Sequence, residues 1–246
     1  AQYFTYEMIK EQNEGKSDST PDPALIDMFN AMVDEMFDYG RFILKNKREN
    51  PSDDLLSAIA NAKIEDKKLS DEFLDGSWLL IIFAGNDTTR NTISGGIKLL
   101  HENQTQKDLL IQNLDLLPNF INETVRYVSP VIHMRRTSVE EAEINGQKIG
   151  PYEKISLWYG AANRDPEIFK NPNEFNILRE NADKHLAFGM GRHTCLGKPV
   201  ALMQLKEFYS QFLTRFNDFE MNGDWKVAPN NFVHAIQEMP IKFTPE

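Results

Sequence analysis

Phe188-Gly189-Met190-Gly191-Arg192-His193-Thr194-Cys195-Leu196-Gly197 surrounds the only cysteine in a chain of 246 residues, so Cys195 has no disulfide partner within the chain. Glycines at 189, 191 and 197 crowd it. Glycine lets backbone approach where a Cβ would clash, so this density suggests a loop held against something flat or bulky. The residues that follow, Gly197 to Phe208, read as a helix with Pro199 in its first turn, where no intrahelical N–H partner is needed. Cys195 therefore stands at a helix N-terminus, where orphan N–H groups and the positive end of the dipole suit a negatively charged sulfur. Such a sulfur can be a nucleophile, a metal ligand or a small buried residue without chemistry.

Composition narrows the field. A hydrophobic content of 41% is ordinary for a globular chain, and a net charge of −10 argues against nucleic acid or an anionic membrane as partner. No apolar run is long enough to span a bilayer; the longest is Trp78 to Ala84. A single cysteine suits a reducing compartment, so a cytoplasmic location is expected. No repeat or low-complexity tract is present.

Residues 1–20 read as a partial helix and a polar loop. A helix is predicted from Asp22-Pro23 to about Asn46, with Leu25, Phe29, Met32, Val33, Met36 and Phe37 forming one apolar stripe. Ser52 is expected to cap a shorter helix through Ile59. A long helix follows from Ser70 to His101. Its middle, Ala84-Gly85-Asn86-Asp87-Thr88-Thr89, strings together mostly poor helix formers, at roughly 0.5–1 kcal/mol each relative to Ala. Two helices with a polar turn, or one distorted helix with a polar notch in an apolar wall, both fit. Apolar residues resume in register at Ile93 and Ile97, which favours the single helix. In such a notch an acid followed by an alcohol, Asp87-Thr88, is a proton-relay candidate.

One helix is predicted over 105–128, carrying Glu123 and Arg126 on one face at i, i+3, by default a solvated pair. Val131 to Thr137 reads as a strand, followed by a hairpin turning at Asn145-Gly146. Ile155 to Tyr159 reads as a buried strand, Ala161 to Pro166 as the start of a helix, and 169–185 as irregular.

The segment 188–197 resembles, at every position, the F-G-x-G-x-H-x-C-x-G haem-thiolate pattern of the cytochromes P-450. Ala84-Gly85-Asn86-Asp87-Thr88 resembles that family's oxygen-activating helix, and Glu123-Thr124-Val125-Arg126 its E-x-x-R element. The resemblance implies a mainly α fold with small β-hairpins, a cytochrome P-450 fold truncated at its N-terminus. Within one domain, residues 1–69 would be mid-region helices, 70–101 the oxygen-activating helix and 105–128 the E-x-x-R helix. Residues 182–210 would be the Cys loop and following helix, and 225–246 the C-terminal hairpin. The expected activity is bacterial-type monooxygenation of a small apolar substrate, guessed as a sterol, terpenoid or branched lipid. It would use dioxygen and two electrons from a ferredoxin or flavoprotein reductase.

The resemblance assigns residues as well. Cys195 would be the axial ligand of haem b (iron protoporphyrin IX), a thiolate that favours O–O cleavage. Ala84, Gly85, Phe188, Gly189, Gly191 and Gly197 would lie against the haem. Arg136, favoured over Arg135 by counting back from Gly146, and His193 would bind its propionates. Thr88 would hydrogen-bond dioxygen or its water and Asp87 would deliver protons. Val131, Ile132 and Val233 would face substrate. Glu123 and Arg126 would form a buried structural pair that locks the haem-side loop. The family often completes that network with an arginine in P-x-R-F; here Pro172-Asn173-Glu174-Phe175 has glutamate instead, leaving Arg164, Arg179 and His185 as substitutes. Arg192, Lys198 and Lys184 flank the loop and either meet an acidic redox partner or form a solvated face.

The match is to the C-terminal part of the family. A haem pocket open on one side is expected to bind haem weakly or not at all, and uncovered apolar surface is expected to drive self-association. Two alternatives stay open: an inactive, haem-free fragment, and a peroxygenase using hydrogen peroxide.

Overall fold

Periodicity is realised in a computed structural model that describes residues 23–216 and 218–244; the partial helix and loop expected over 1–20 lie outside them. The chain divides into two compact units, Ala1–Asn86 and Asp87–Glu246.

In the first unit α1 (Pro23–Glu49) extends past its predicted end. Phe29, Val33, Met36 and Phe37 are half-buried, but Met32 is exposed, and the stripe is instead continued by buried Gly40 and Leu44. The side chain of Leu25 is not among those described. At Gly40 a Cβ would sit 2.5 Å from Trp78 Cδ1, so only glycine admits that indole, whose Nε1 donates to the Met36 carbonyl at 3.0 Å. Leu44, Ala60, Leu74 and Trp78 make this unit's core. The cap of α2 (Leu55–Asn61) is Asp54, not Ser52: Asp54 Oδ1 accepts the Ser57 N–H at 2.7 Å. Ser52 Oγ donates to Asp54 Oδ2 at 2.6 Å and so supports the cap from outside. A short hairpin, β1 (Lys63–Ile64) with β2 (Lys67–Lys68), follows.

Helix α3 (Asp71–Glu102) is one uninterrupted α-helix, its second half belonging to the second unit. The poor helix formers neither break it nor split it in two. Propensity costs of this size yield to packing, and beyond the notch Ile97, Leu99 and Leu100 are buried.

The helix predicted over 105–128 is two helices. Between α4 (Gln104–Gln112) and α5 (Leu117–Val128), a 3-10 turn (Leu114–Leu116) is capped by Asn113, whose Oδ1 accepts the Asp115 N–H at 3.1 Å. Asn competes for backbone donors and so starts the chain afresh. Strand β3 (His133–Thr137) pairs antiparallel with β6 (Lys154–Trp158). Between them β4 (Ala142–Ile144) and β5 (Gln147–Ile149) turn at Asn145 and Gly146, at φ 49° and 79°, as the Asn-Gly pair predicts. Strand β6 is mostly exposed rather than buried, because its sheet has two strands and Trp158 keeps 54% of its surface. The helix predicted to start at Ala161 is instead one short turn that ends at Ala162: α6 spans Tyr159–Ala162.

The Cys-loop helix α7 (Lys198–Arg215) sends Leu205, Tyr209 and Leu213 into a core shared with Ile97, Leu100, Leu110, Phe120, Val125 and Phe219. Strand β8 (Lys226–Ala228) pairs with β9 (Ala235–Glu238), and β10 (Ile241–Lys242) returns to β7 (Glu220–Met221). Apolar side chains remain exposed on α3, among them Leu80 and Phe83, and around the Cys loop, among them Met190 and Leu196. Among the described residues no helix is long and apolar enough to cross a membrane.

Candidate active site

The Cys loop closes on its own backbone. The Cys195 N–H donates to the Phe188 carbonyl at 2.8 Å, Gly189 N–H to Leu186 at 2.8 Å, and Thr194 N–H to Gly191 at 3.1 Å. Gly189 and Gly191 adopt φ of 70° and 69°, the left-handed region that side chains resist. A Cβ at Gly189 would also press on the His193 carbonyl at 3.1 Å. Gly191, Arg192 and His193 form one 3-10 turn, and Gly197 caps α7. Cys195 is exposed, with Met190 and Leu196 exposed beside it. A Cβ at Gly197 would lie 3.9 Å from Cys195 Sγ, an ordinary contact distance. Phe188 is anchored under the loop, with the His185 ring 5.6 Å away and Lys198 Nζ 5.5 Å over its face.

Beneath the loop lies a buried ion network. Glu123 and Arg126 are both fully buried, with Arg126 Nε donating to Glu123 Oε2 at 2.6 Å and Nη2 to Oε1 at 2.8 Å. The third partner is Arg179, whose Nε donates to both oxygens at 3.1 and 3.0 Å. Arg164 turns instead to the Tyr127 carbonyl at 2.8 Å. His185 is buried with Nδ1 accepting the Ala187 N–H at 3.2 Å, and burial lowers its pKa to about 4. Position 174 contributes backbone: the Glu174 carbonyl accepts from Arg126 at 3.2 Å and from Arg179 at 2.9 Å. The remaining Arg126 donors reach the Asn163 and Pro172 carbonyls at 2.7 and 2.9 Å. Asn163 relays this to the loop: its Oδ1 accepts the Leu186 N–H at 2.6 Å and its Nδ2 donates to Ser129 Oγ at 2.9 Å. Reading the sequence did not single out Asn163, whose type alone gives no sign of burial.

On α3, Asp87 and Thr88 are half-buried while Ala84 and Gly85 are exposed. Asp87 Oδ1 pairs with Arg90 at 2.9 Å, a partner that the i, i+3 spacing could have disclosed. Thr92 Oγ1 donates to the Thr88 carbonyl at 2.8 Å. Tyr209 joins α7 to this segment: its buried hydroxyl donates to the Ile93 carbonyl at 2.9 Å and approaches that of Thr92 at 3.2 Å. Gly96 makes room for it, since a Cβ there would overlap Tyr209 Oη.

The substrate-facing candidates come together across sequence. Val131 bridges buried Val233, the Ile132 N–H donates to Phe232 at 2.8 Å, and His234 N–H donates to Pro130 at 2.9 Å. Arg136 is half-buried and folds back onto the Arg135 carbonyl at 2.8 Å, whereas Arg135 is exposed.

Residues 98–244 match the family described as Cytochrome P450. The chain belongs to the cytochrome P450 family. It is 36% identical over 223 residues to a steroid C26-monooxygenase of Mycolicibacterium smegmatis, covering 90% of this chain and 54% of that protein. It is 34% identical over 215 residues to the linalool 8-monooxygenase of Pseudomonas putida, covering 87% of this chain and 53% of that protein. The crystal structure of CYP109E1 from Bacillus megaterium with testosterone superposes with a TM-score of 0.80 at 34% identity, over 89% of this chain and 61% of that one. The chain thus spans about half the length of the curated relatives it matches. The P450 fold, mainly helical with small sheets, is the fold of the described residues.

The P450 family implies haem, and the donor set fits it. Among the described residues no three His, Cys, Asp or Glu side chains cluster as a metal cage. Haem carries its iron in its own ring and would ask the protein for a thiolate donor, a chemistry that the exposed Cys195 on its glycine loop fits.

Proposed function

We propose that the protein works as a haem-thiolate monooxygenase on a small apolar substrate: RH, dioxygen, two electrons and two protons give ROH and water. The observation that carries this reading is the Cys loop, closed by the 2.8 Å bond from Cys195 N–H to Phe188 with its sulfur left exposed. Haem b, when bound, supplies the activation of dioxygen. Cys195 would hold it, Phe188, Gly189, Gly191 and Gly197 would shape the backbone beside that sulfur, Ala84 and Gly85 would be further haem-binding residues, and Arg136 and His193 would pair with its propionates. Asp87 and Thr88 hold and pass protons, with Arg90 orienting the Asp87 carboxylate. Val131, Ile132 and Val233 face a sterol, terpenoid or branched lipid, a class that the names of the steroid and linalool relatives support. Electrons come from a ferredoxin or flavoprotein reductase at the face carrying Lys184, Arg192 and Lys198, in the cytoplasm. Exposed Leu80, Phe83, Met190 and Leu196 drive self-association.

An absorption spectrum tests the reading. Because the sulfur and its apolar neighbours are exposed, haem is expected to bind weakly, so haemin is added in excess before reduction with dithionite and exposure to carbon monoxide. A strongly red-shifted Soret band, lost in Cys195→Ser, is expected. A band in the ordinary position, or none, would overturn it. Turnover with hydrogen peroxide alone, indifferent to Thr88→Ala, would replace monooxygenation by a peroxygenase reaction.

A further inference from the structure

Asn91 is 1% exposed, one turn beyond Asp87 on α3, and the assignments above give it no role. Both ends of its amide are used. Nδ2 donates to the Asp87 carbonyl at 2.8 Å, and Oδ1 accepts the Ile236 N–H at 2.8 Å across 145 positions of sequence. Strand β9 belongs to a two-stranded sheet, so donors on its outer edge need a partner from elsewhere. Asn91 supplies one. A buried amide with both ends occupied is costly to disturb and holds one geometry. Ile236 lies close along the chain to Val233, which bridges Val131, and Phe232 and His234 are bonded to Ile132 and Pro130 on either side. The Asn91 side chain therefore links the Asp87 turn to Ile236, from which three residues of chain lead to the substrate-facing pair and its backbone bonds.

We propose that Asn91 is a positioning residue. It sets the offset between the Asp87–Thr88 turn and the Val131–Val233 pair, and so registers bound substrate against the groups that pass protons. The functional half rests on the monooxygenase reading; the bridge itself does not.

Asn91→Ala removes both arms, and Asn91→Asp keeps an acceptor for Ile236 but loses the donor to Asp87. Amide hydrogen exchange in the haem-free chain reads the bridge. In Asn91→Ala, Ile236 should lose about tenfold in protection, with amides of α5 unchanged as the control for folding; in Asn91→Asp, Ile236 should stay protected. Unchanged Ile236 protection in folded Asn91→Ala would overturn the proposal.

The haem-loaded protein with linalool as probe reads the function. In both variants a several-fold larger share of the electrons should leave as hydrogen peroxide rather than as hydroxylated product. A merely structural residue would lower the amount of haem protein and leave the ratio of product to peroxide per haem unchanged, which would overturn the positioning role. If the unaltered protein oxidises no probe, the monooxygenase reading fails and takes the functional half with it, while exchange still judges the bridge.

Discussion

Arg179 donates from Nε to both carboxylate oxygens of Glu123, 56 positions away, at 3.1 and 3.0 Å. With Arg126 it gives one fully buried carboxylate two guanidinium partners, and the Asn176 N–H adds a fourth donor group at 3.0 Å. Removing Glu123 would leave two buried cations uncompensated. Glu123→Gln should therefore cost about 3–5 kcal/mol, read as a shift of the urea midpoint. Arg179→Ala should cost a comparable amount, and Arg164→Ala clearly less, because Arg164 donates to the Gly160 and Tyr127 carbonyls and lies 4.8 Å over the Tyr127 ring instead of pairing with the carboxylate. Equal effects for the two arginines would show that Arg179 is not the third partner.

Asn163 carries this network into the Cys loop through Leu186. Asn163→Ala leaves the Leu186 N–H without its acceptor and should cost about 1–3 kcal/mol. Hydrogen exchange at Leu186 should quicken, while exchange in α4, which shares no bond with it, should not change.

Gly96 and Tyr209 fix the packing of α7 on the second half of α3. Gly96→Ala would drive a Cβ into Tyr209 Oη and to 2.9 Å of Thr124 Cγ2. The expected loss is about 1–3 kcal/mol. Tyr209→Phe in the same chain should restore part of it, since the hydroxyl goes while the ring atom behind it, 2.9 Å from the new Cβ, stays. A thermal double-mutant cycle with no coupling would refute the contact.

His185 makes stability fall in mild acid. Burial first, then Lys198 and Arg126, lower its pKa from 6.5 to about 4, with Asp183 opposing. The unfolded chain binds this proton more readily than the folded one, so the stabilisation is complete above pH 6.5 and is lost as pH falls toward 4. The loss amounts to about 3 kcal/mol. Urea midpoints between these limits should slope with pH in the unaltered chain, and the slope should flatten in His185→Phe.

The Cys loop, the Asp87-Thr88 pair, the E-x-x-R pair and the Asn145-Gly146 turn were all legible in the sequence. Each is a short run whose geometry is set by neighbouring backbone: a helix N-terminus, an i, i+3 face, a turn needing positive φ. Even the length of α3 could be read, because its apolar register survives the polar notch. Local reading failed where a competing partner won. Asp54 took the cap expected of Ser52, Asn113 broke a helix, and a two-stranded sheet left β6 exposed.

By itself, the sequence determined the family and marked out the one cysteine with the glycines beside it, because those are consecutive and locally constrained. Only the tertiary structure decided that Arg179 rather than Arg164 or His185 joins the buried Glu123–Arg126 pair, and that Tyr209 and Asn91 tie distant elements to α3. Burial and hydrogen-bond partners across 56 to 145 positions are properties of how the chain packs, and no residue type or spacing encodes them locally.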